Sequence, residues 1–222
     1  SLISTYIDPV TNELNELFSS VVNDLVIIKD EDGAVYWPQF GLNNIGGLTI
    51  GEGYQIKMNE ENTLVVSGSL IPYDTSFDLS NGWNIMGYLH QNPYDVTFMM
   101  STMNINNLII LKDESGNVYW PQFALNNIGN MNPGKGYQVK LAGPWTFSFP
   151  AGDAGRYGDI YVERPVHFEE PVNTGNNMII GFPLESWKST PSIGDEIAAY
   201  DEDGKLIGST TFQGDHIALS IW

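Results

Sequence analysis

The sequence predicts a mainly β (α+β) fold: two tandem small β-rich modules with one short helix each, then a third β unit. Two observations predict it. Residues 25–58 and 108–141 align without a gap at an offset of 83, with 22 of 34 positions identical. Such an internal repeat defines the building units of a chain before any other signal does. Within each copy, short runs of Val, Ile, Tyr and Trp alternate with Gly, Pro, Asn and Asp, which is the pattern of strands separated by turns. The units are read as 1–82, 83–150 and 151–222. Leu2-Ile3 falls opposite Ile85-Met86, and Trp83 falls opposite a position ahead of Ser1. The first module is therefore expected to be incomplete at its start. Ile221-Trp222 reads as the middle of a strand, so the third is expected to be incomplete at its end and the chain to be a segment of a longer one.

The elements follow in order. Trp83–Leu89 reads as an opening strand. A short helix follows: Leu14, Leu17, Phe18, Val21, Val22 and Leu25 form one apolar stripe, with Thr11 or Asn12 as cap and Glu13 and Glu16 near its positive end. In the second module Val96, Met99, Met100 and Met103 repeat the stripe behind Asp95 as cap, at an offset of 82, so one residue is added between helix and hairpin. The hairpin comes next. Leu25–Lys29 and Ala34–Trp37 flank Asp30-Glu31-Asp32-Gly33, where the glycine can take the left-handed conformation of a short bulged turn. Gly116 and Gly204 hold the same place in the other units. Pro38 and Pro121 end the second hairpin strand or mark a sheet edge. Asn43–Gly46 and Asn126–Gly129 read as turns, Gly53–Met58 and Thr63–Val66 as strands, and Trp145–Phe149 as the counterpart of the latter. Residues 151–177, rich in glycine, read as a connection holding a strand around 159–162. The third unit shows the same Asp-Glu-Asp-Gly turn at 201–204 between apolar runs.

Composition excludes several classes of function. The chain has 222 residues, 42% hydrophobic, which is enough for a core. Lys and Arg number 9 against 27 Asp and Glu, a net charge of −18. A nucleic-acid ligand needs a basic face, and an anionic membrane surface does too. No apolar run approaches the roughly 20 residues of a membrane span. There is no cysteine, hence no disulfide, thiol chemistry or thiolate metal site. The charge is uneven: −10 over 1–82, zero over 83–150 and −8 over 151–222. The copies thus share a framework and not one electrostatic face.

Candidate chemistry is sparse. Alternating carboxylates before a glycine resemble the start of a calcium loop, making Asp30, Asp32, Asp201 and Asp203 the residues a metal would use. The further oxygens of a calcium loop are not spaced to follow, and Ser115 replaces Asp32 in the second copy. The expectation is a hairpin turn, with no metal and no cofactor. The recurring Tyr-Trp-Pro-Gln-Phe run offers Tyr36, Trp37, Tyr119 and Trp120 as aromatic platforms for sugar rings; alternation puts Tyr and Trp on opposite faces, and core packing is the competing role. His90, His167 and His216 lack metal-ligand spacing and are read as surface or edge residues. No Gly-Lys-Ser/Thr phosphate loop or Gly-x-Ser-x-Gly elbow occurs, and a carboxylate pair for glycoside hydrolysis stays open.

Gly82-Trp83-Asn84-Ile85, a short helix, Leu108-Ile-Ile-Leu-Lys-Asp-x-x-Gly116, Asn126-Asn-Ile-Gly129 and Gly134-Lys-Gly-Tyr-Gln-Val-Lys140 together resemble a repeat of large secreted surface proteins of Bacteroidota. Asn176–Ile180, Ile193–Ile197 and Gly204–Gly208 are similar to the module that follows it in such proteins. The resemblance spans nearly the whole chain. It implies export by type IX secretion and display at the cell surface, with flanking domains in the same longer chain. It carries over no functional residue. The expected role is a non-catalytic extracellular segment for adhesion or spacing, its partners surface glycans or other proteins. A carbohydrate-binding accessory region of a secreted hydrolase is the alternative.

Overall fold

The computed structural model describes residues 1–152, 165–168, 171, 177–214 and 216–222. It is mainly β, as expected. Each repeat forms a five-stranded antiparallel sheet with the same strand order. In repeat 1 the order is Leu2–Ile3, Tyr54–Met58, Leu25–Lys29, Val35–Trp37, Leu42–Asn43. In repeat 2 it is Gly82–Gly87, Gly136–Leu141, Leu108–Lys112, Val118–Trp120, Leu125–Asn126. Register matches too: Leu25 pairs with Met58 and Leu108 with Leu141, and one bulge falls at the same place, after Leu25 and after Leu108. In repeat 2 the bulge lets Leu108 and Leu111 both enter the core while Ile110 faces out.

The helices begin where expected and are shorter. Leu14–Leu17 and Val96–Met99 each make a single turn. The rest of the apolar stripe continues as successive turns, with the Val21 and Asp24 N–H groups donating to Phe18 and Val21 carbonyls. Leu14, Phe18, Val21 and Leu25 still line the first core, so the stripe reports burial and not helix length. Asp95 caps as predicted, accepting from the Thr97 and Phe98 N–H groups. Thr11 and Asn12 do not cap the first helix: Glu13 holds that position without a side-chain bond, and the Gly46 carbonyl receives the Leu14 N–H instead.

The second core is much the larger. It also contains Ile71 and Phe149, and Leu79 and Phe147 from the pairing of Phe77–Leu79 with Trp145–Phe147. The expected strand at Thr63–Val66 does not form. Its counterpart in repeat 2 is ordered by pairing with Phe77–Leu79. Residues 61–67 take no regular structure, and Val65 is exposed. Gly68–Leu70 pairs with Ile7–Pro9 instead. In the third unit Met178–Phe182 pairs with Ile217–Ile221, and Glu196–Tyr200 with Leu206–Thr211 around the predicted turn. The strand expected around 159–162 lies outside the described residues.

Candidate functional site

The first carboxylate of each hairpin turn accepts turn N–H groups. Asp30 Oδ1 accepts the Ala34 N–H at 2.7 Å, Asp113 Oδ1 the Ser115 and Asn117 N–H groups, and Asp201 Oδ1 the Asp203 and Lys205 N–H groups. Gly33, Gly116 and Gly204 all have φ near +80°, the left-handed geometry that closes the turn. Asp32 and Asp203 lie one residue before the glycine of their turns. Among the described residues no three His, Asp or Glu side chains gather as a metal site.

The aromatic runs split by face. Tyr36 and Tyr119 are core residues at 3% and 6% exposure, and burial raises both phenols. Trp37 and Trp120 point to the outer sheet face, each half-buried with an edge-on Phe, Phe40 at 4.6 Å and Phe123 at 4.5 Å. They are not equivalent in setting. Trp120 belongs to a small cluster with Ile110, Val118, Leu125 and, from the third unit, Ala218 and Ile179. Trp37 belongs to no such cluster: its indole Nε1 is buried, but Phe40 beside it is 62% exposed. A matched pair of open tryptophan platforms is therefore not what the repeats present.

His90 differs from its reading as a surface residue. It is 6% exposed, stacked on Tyr73 and edged by Tyr88, Tyr94 and Phe149. Burial lowers its pKa, partly countered by its Nε2 bond to the Pro150 carbonyl. The signal in the sequence was its place just after the opening strand, where the polypeptide returns under the 145–149 segment. His167 is exposed and lies 3.9 Å from Glu196, and His216 Nδ1 accepts the Leu184 N–H.

The feature that spacing did not reveal is how the repeats meet. The Ser4 N–H donates to the Gly134 carbonyl at 2.9 Å, and the Gly87 N–H to the Gly51 carbonyl at 2.8 Å. Ile3 bridges to Lys135, and Met86 to Glu52. Glu114 accepts the Leu2 N–H at 3.0 Å, and Glu31 the Ile85 N–H at 2.6 Å. Every pair maps onto the other by the offset of 83 with the repeats exchanged. Reciprocity of this kind defines an isologous, two-fold contact. The opening strand of each sheet, a free edge within its own repeat, is thereby covered by the other.

The contact explains the recurring Gly-x-Gly-Tyr-Gln motif. A Cβ on Gly53 would lie 3.1 Å from the Met86 carbonyl oxygen, and one on Gly136 2.9 Å from that of Ile3. Tyr54 and Tyr137 stand behind the glycines in the two cores, each accepting one N–H, from Thr49 and Asn132. Burial drives their phenols up, Tyr54 to about 12 and Tyr137 further.

The two-fold is imperfect in charge. Burial pushes Glu114 up, but bonds from Lys135 and the Leu2 N–H outweigh it and hold the carboxyl below its usual range. Glu52 occupies the position equivalent to Lys135. Glu31 is accordingly raised, by burial first and then by Glu52, Asp32 and Asp30, against the Ile85 N–H that lowers it.

No family model, curated protein or solved structure matches this chain.

Proposed function

We propose that this chain is a non-catalytic extracellular segment of a larger surface or secreted protein, serving adhesion or spacing. One observation supports it above the rest. Much of what recurs between the copies is framework: the Asp and Gly of the hairpin turn, Tyr36 and Tyr119 in the cores, and the Gly-x-Gly motif at the two-fold contact. The charged surface groups differ between the copies, −10 against zero, which suits a repeated scaffold carrying variable surfaces. The resemblance to Bacteroidota repeats supports export and surface display, with flanking domains in the same protein. The no-nucleic-acid reading rests on the charge of −18. As for membranes, no described helix is long and apolar enough to cross one.

The two-fold contact refines the spacing role. Head-to-tail units extend an array indefinitely, whereas an isologous contact closes on itself. Two repeats therefore act as one compact pair, and lengthening comes from adding pairs. Surface labelling tests the localisation: antibody against this segment should stain intact cells, and staining only after lysis would refute it. A glycan array and a panel of glycoside and peptide substrates test the rest. Turnover would overturn the non-catalytic role. The carbohydrate-binding alternative draws on the half-open Trp37 beside Phe40; saturable glycan binding abolished by Trp37→Ala would favour it.

A further inference from the structure

The offset of 83 assigns every surface of repeat 1 a counterpart on repeat 2, and one counterpart is occupied. On repeat 2 the third unit lies across the outer sheet face. Ala218 and Ile179 pack on Ile110, Val118 and Leu125. Gly181 faces the Trp120 ring, where a Cβ would be 3.5 Å from the indole. The Ser220 hydroxyl donates to the Gly116 carbonyl, and the Lys112 ammonium to the Asn177 side chain. Small residues face the large aromatic, and polar groups close the rim, as in a specific protein interface.

Repeat 1 carries the same receptor uncovered. Ile27, Val35, Trp37, Phe40 and Leu42 stand at the positions of Ile110, Val118, Trp120, Phe123 and Leu125. Leu42 is 43% exposed where Leu125 is 4% exposed. Gly33 has open space where Gly116 meets Ser220 and Trp222. Lys29 is exposed where Lys112 is buried. The backbone frame beneath is the same, down to the hairpin register and the left-handed residue after the Pro-Gln-Phe turn.

We propose that this outer face of repeat 1 is a docking surface for the sheet face of a β domain built like the third unit. The occupant is set by what covers the near-copy. It presents glycine or alanine to the Trp37 ring, a hydroxyl to the Gly33 carbonyl, and a side-chain amide oxygen to Lys29. A repeat pair then holds two such domains, one on each side.

The test uses the full chain. Val118→Asp places a charge under Ala218, on the outer face and away from the repeat 2 core, and so frees the third unit. A photo-crosslinking p-benzoylphenylalanine at position 40 reports what touches repeat 1. In the Val118→Asp chain, crosslinks should map to 177–182 and 217–221. Their yield should exceed that of the same probe in the otherwise unaltered chain by about fivefold or more, because release raises the binding-competent fraction. Leu42→Asp, added to both, should abolish them. Where circular dichroism shows that Val118→Asp disturbs the sheet, Leu125→Asp frees the unit from the edge strand of the same contact. Crosslinks that fail to form with the unit released, that map elsewhere, or that survive Leu42→Asp would overturn the proposal.

Discussion

The turn after Pro-Gln-Phe is a natural experiment in backbone strain. Repeat 1 places Gly41 there at φ +63° and repeat 2 places Ala124 at φ +52°. Both close the same short helical turn, with the N–H of Gly41 donating to the Pro38 carbonyl and that of Ala124 to Pro121. A Cβ on Gly41 would meet nothing within 4 Å, and Ala124 is exposed, so neither substitution makes or breaks packing. Only the backbone decides. An L-residue in the left-handed region costs about 1–2 kcal/mol. Replacing glycine recovers about 0.5–1 kcal/mol of unfolded-state entropy. Gly41→Ala should therefore destabilise by about 0.5–1 kcal/mol, and Ala124→Gly should stabilise by a similar amount. For a chain of 222 residues that is a shift of about 1–4 °C in Tm, downward and upward respectively. Calorimetry on the two single variants measures it. A stabilising Gly41→Ala together with a destabilising Ala124→Gly would refute the strain argument.

Gly136→Ala forces a methyl within 2.9 Å of the Ile3 carbonyl and should cost about 1–3 kcal/mol by urea unfolding; a neutral result would mean the repeats do not meet there. Glu114→Gln removes a carboxylate whose folded pKa is depressed. The stability it contributes is present above its unfolded pKa and lost as pH falls through the folded one, so the variant should lose about 0.5–1 kcal/mol at pH 7 and nothing at pH 2. Glu31→Gln should show the opposite sign at pH 7, since a raised folded pKa costs stability above that pKa, while the Gln oxygen still accepts the Ile85 N–H. Chelator should move Tm by no more than about 1–2 °C, because turn N–H groups already occupy Asp30, Asp113 and Asp201; a larger fall would make Asp30, Asp32, Asp201 and Asp203 metal ligands.

The sheets and turns were legible because each depends on local chemistry repeated twice. Alternating β-branched runs, Asp-x-x-Gly and Asn-Asn-Ile-Gly read directly as strands and turns. The helix length was not legible: a stripe at helical spacing says which residues are buried, and successive turns bury them as well. Thr63–Val66 misled because a strand needs a partner, and pairing is non-local. His90 was misread for a related reason, since its aromatic neighbours come from 73, 88, 94 and 149. The two-fold contact was visible only as an unexplained identity in Gly-x-Gly. A single copy could not show that its glycines make room for the other copy's backbone.

Two repeats closing on one another through reciprocal backbone bonds is the central feature of the fold. Native-state hydrogen exchange of the Ser4 and Gly87 amides tests that most directly, because each donates across the contact, to Gly134 and Gly51. Both should exchange slowly and lose protection together when Gly136→Ala or Gly53→Ala strains the interface. Exchange of both amides at the rate of an unprotected chain would contradict the closed pair.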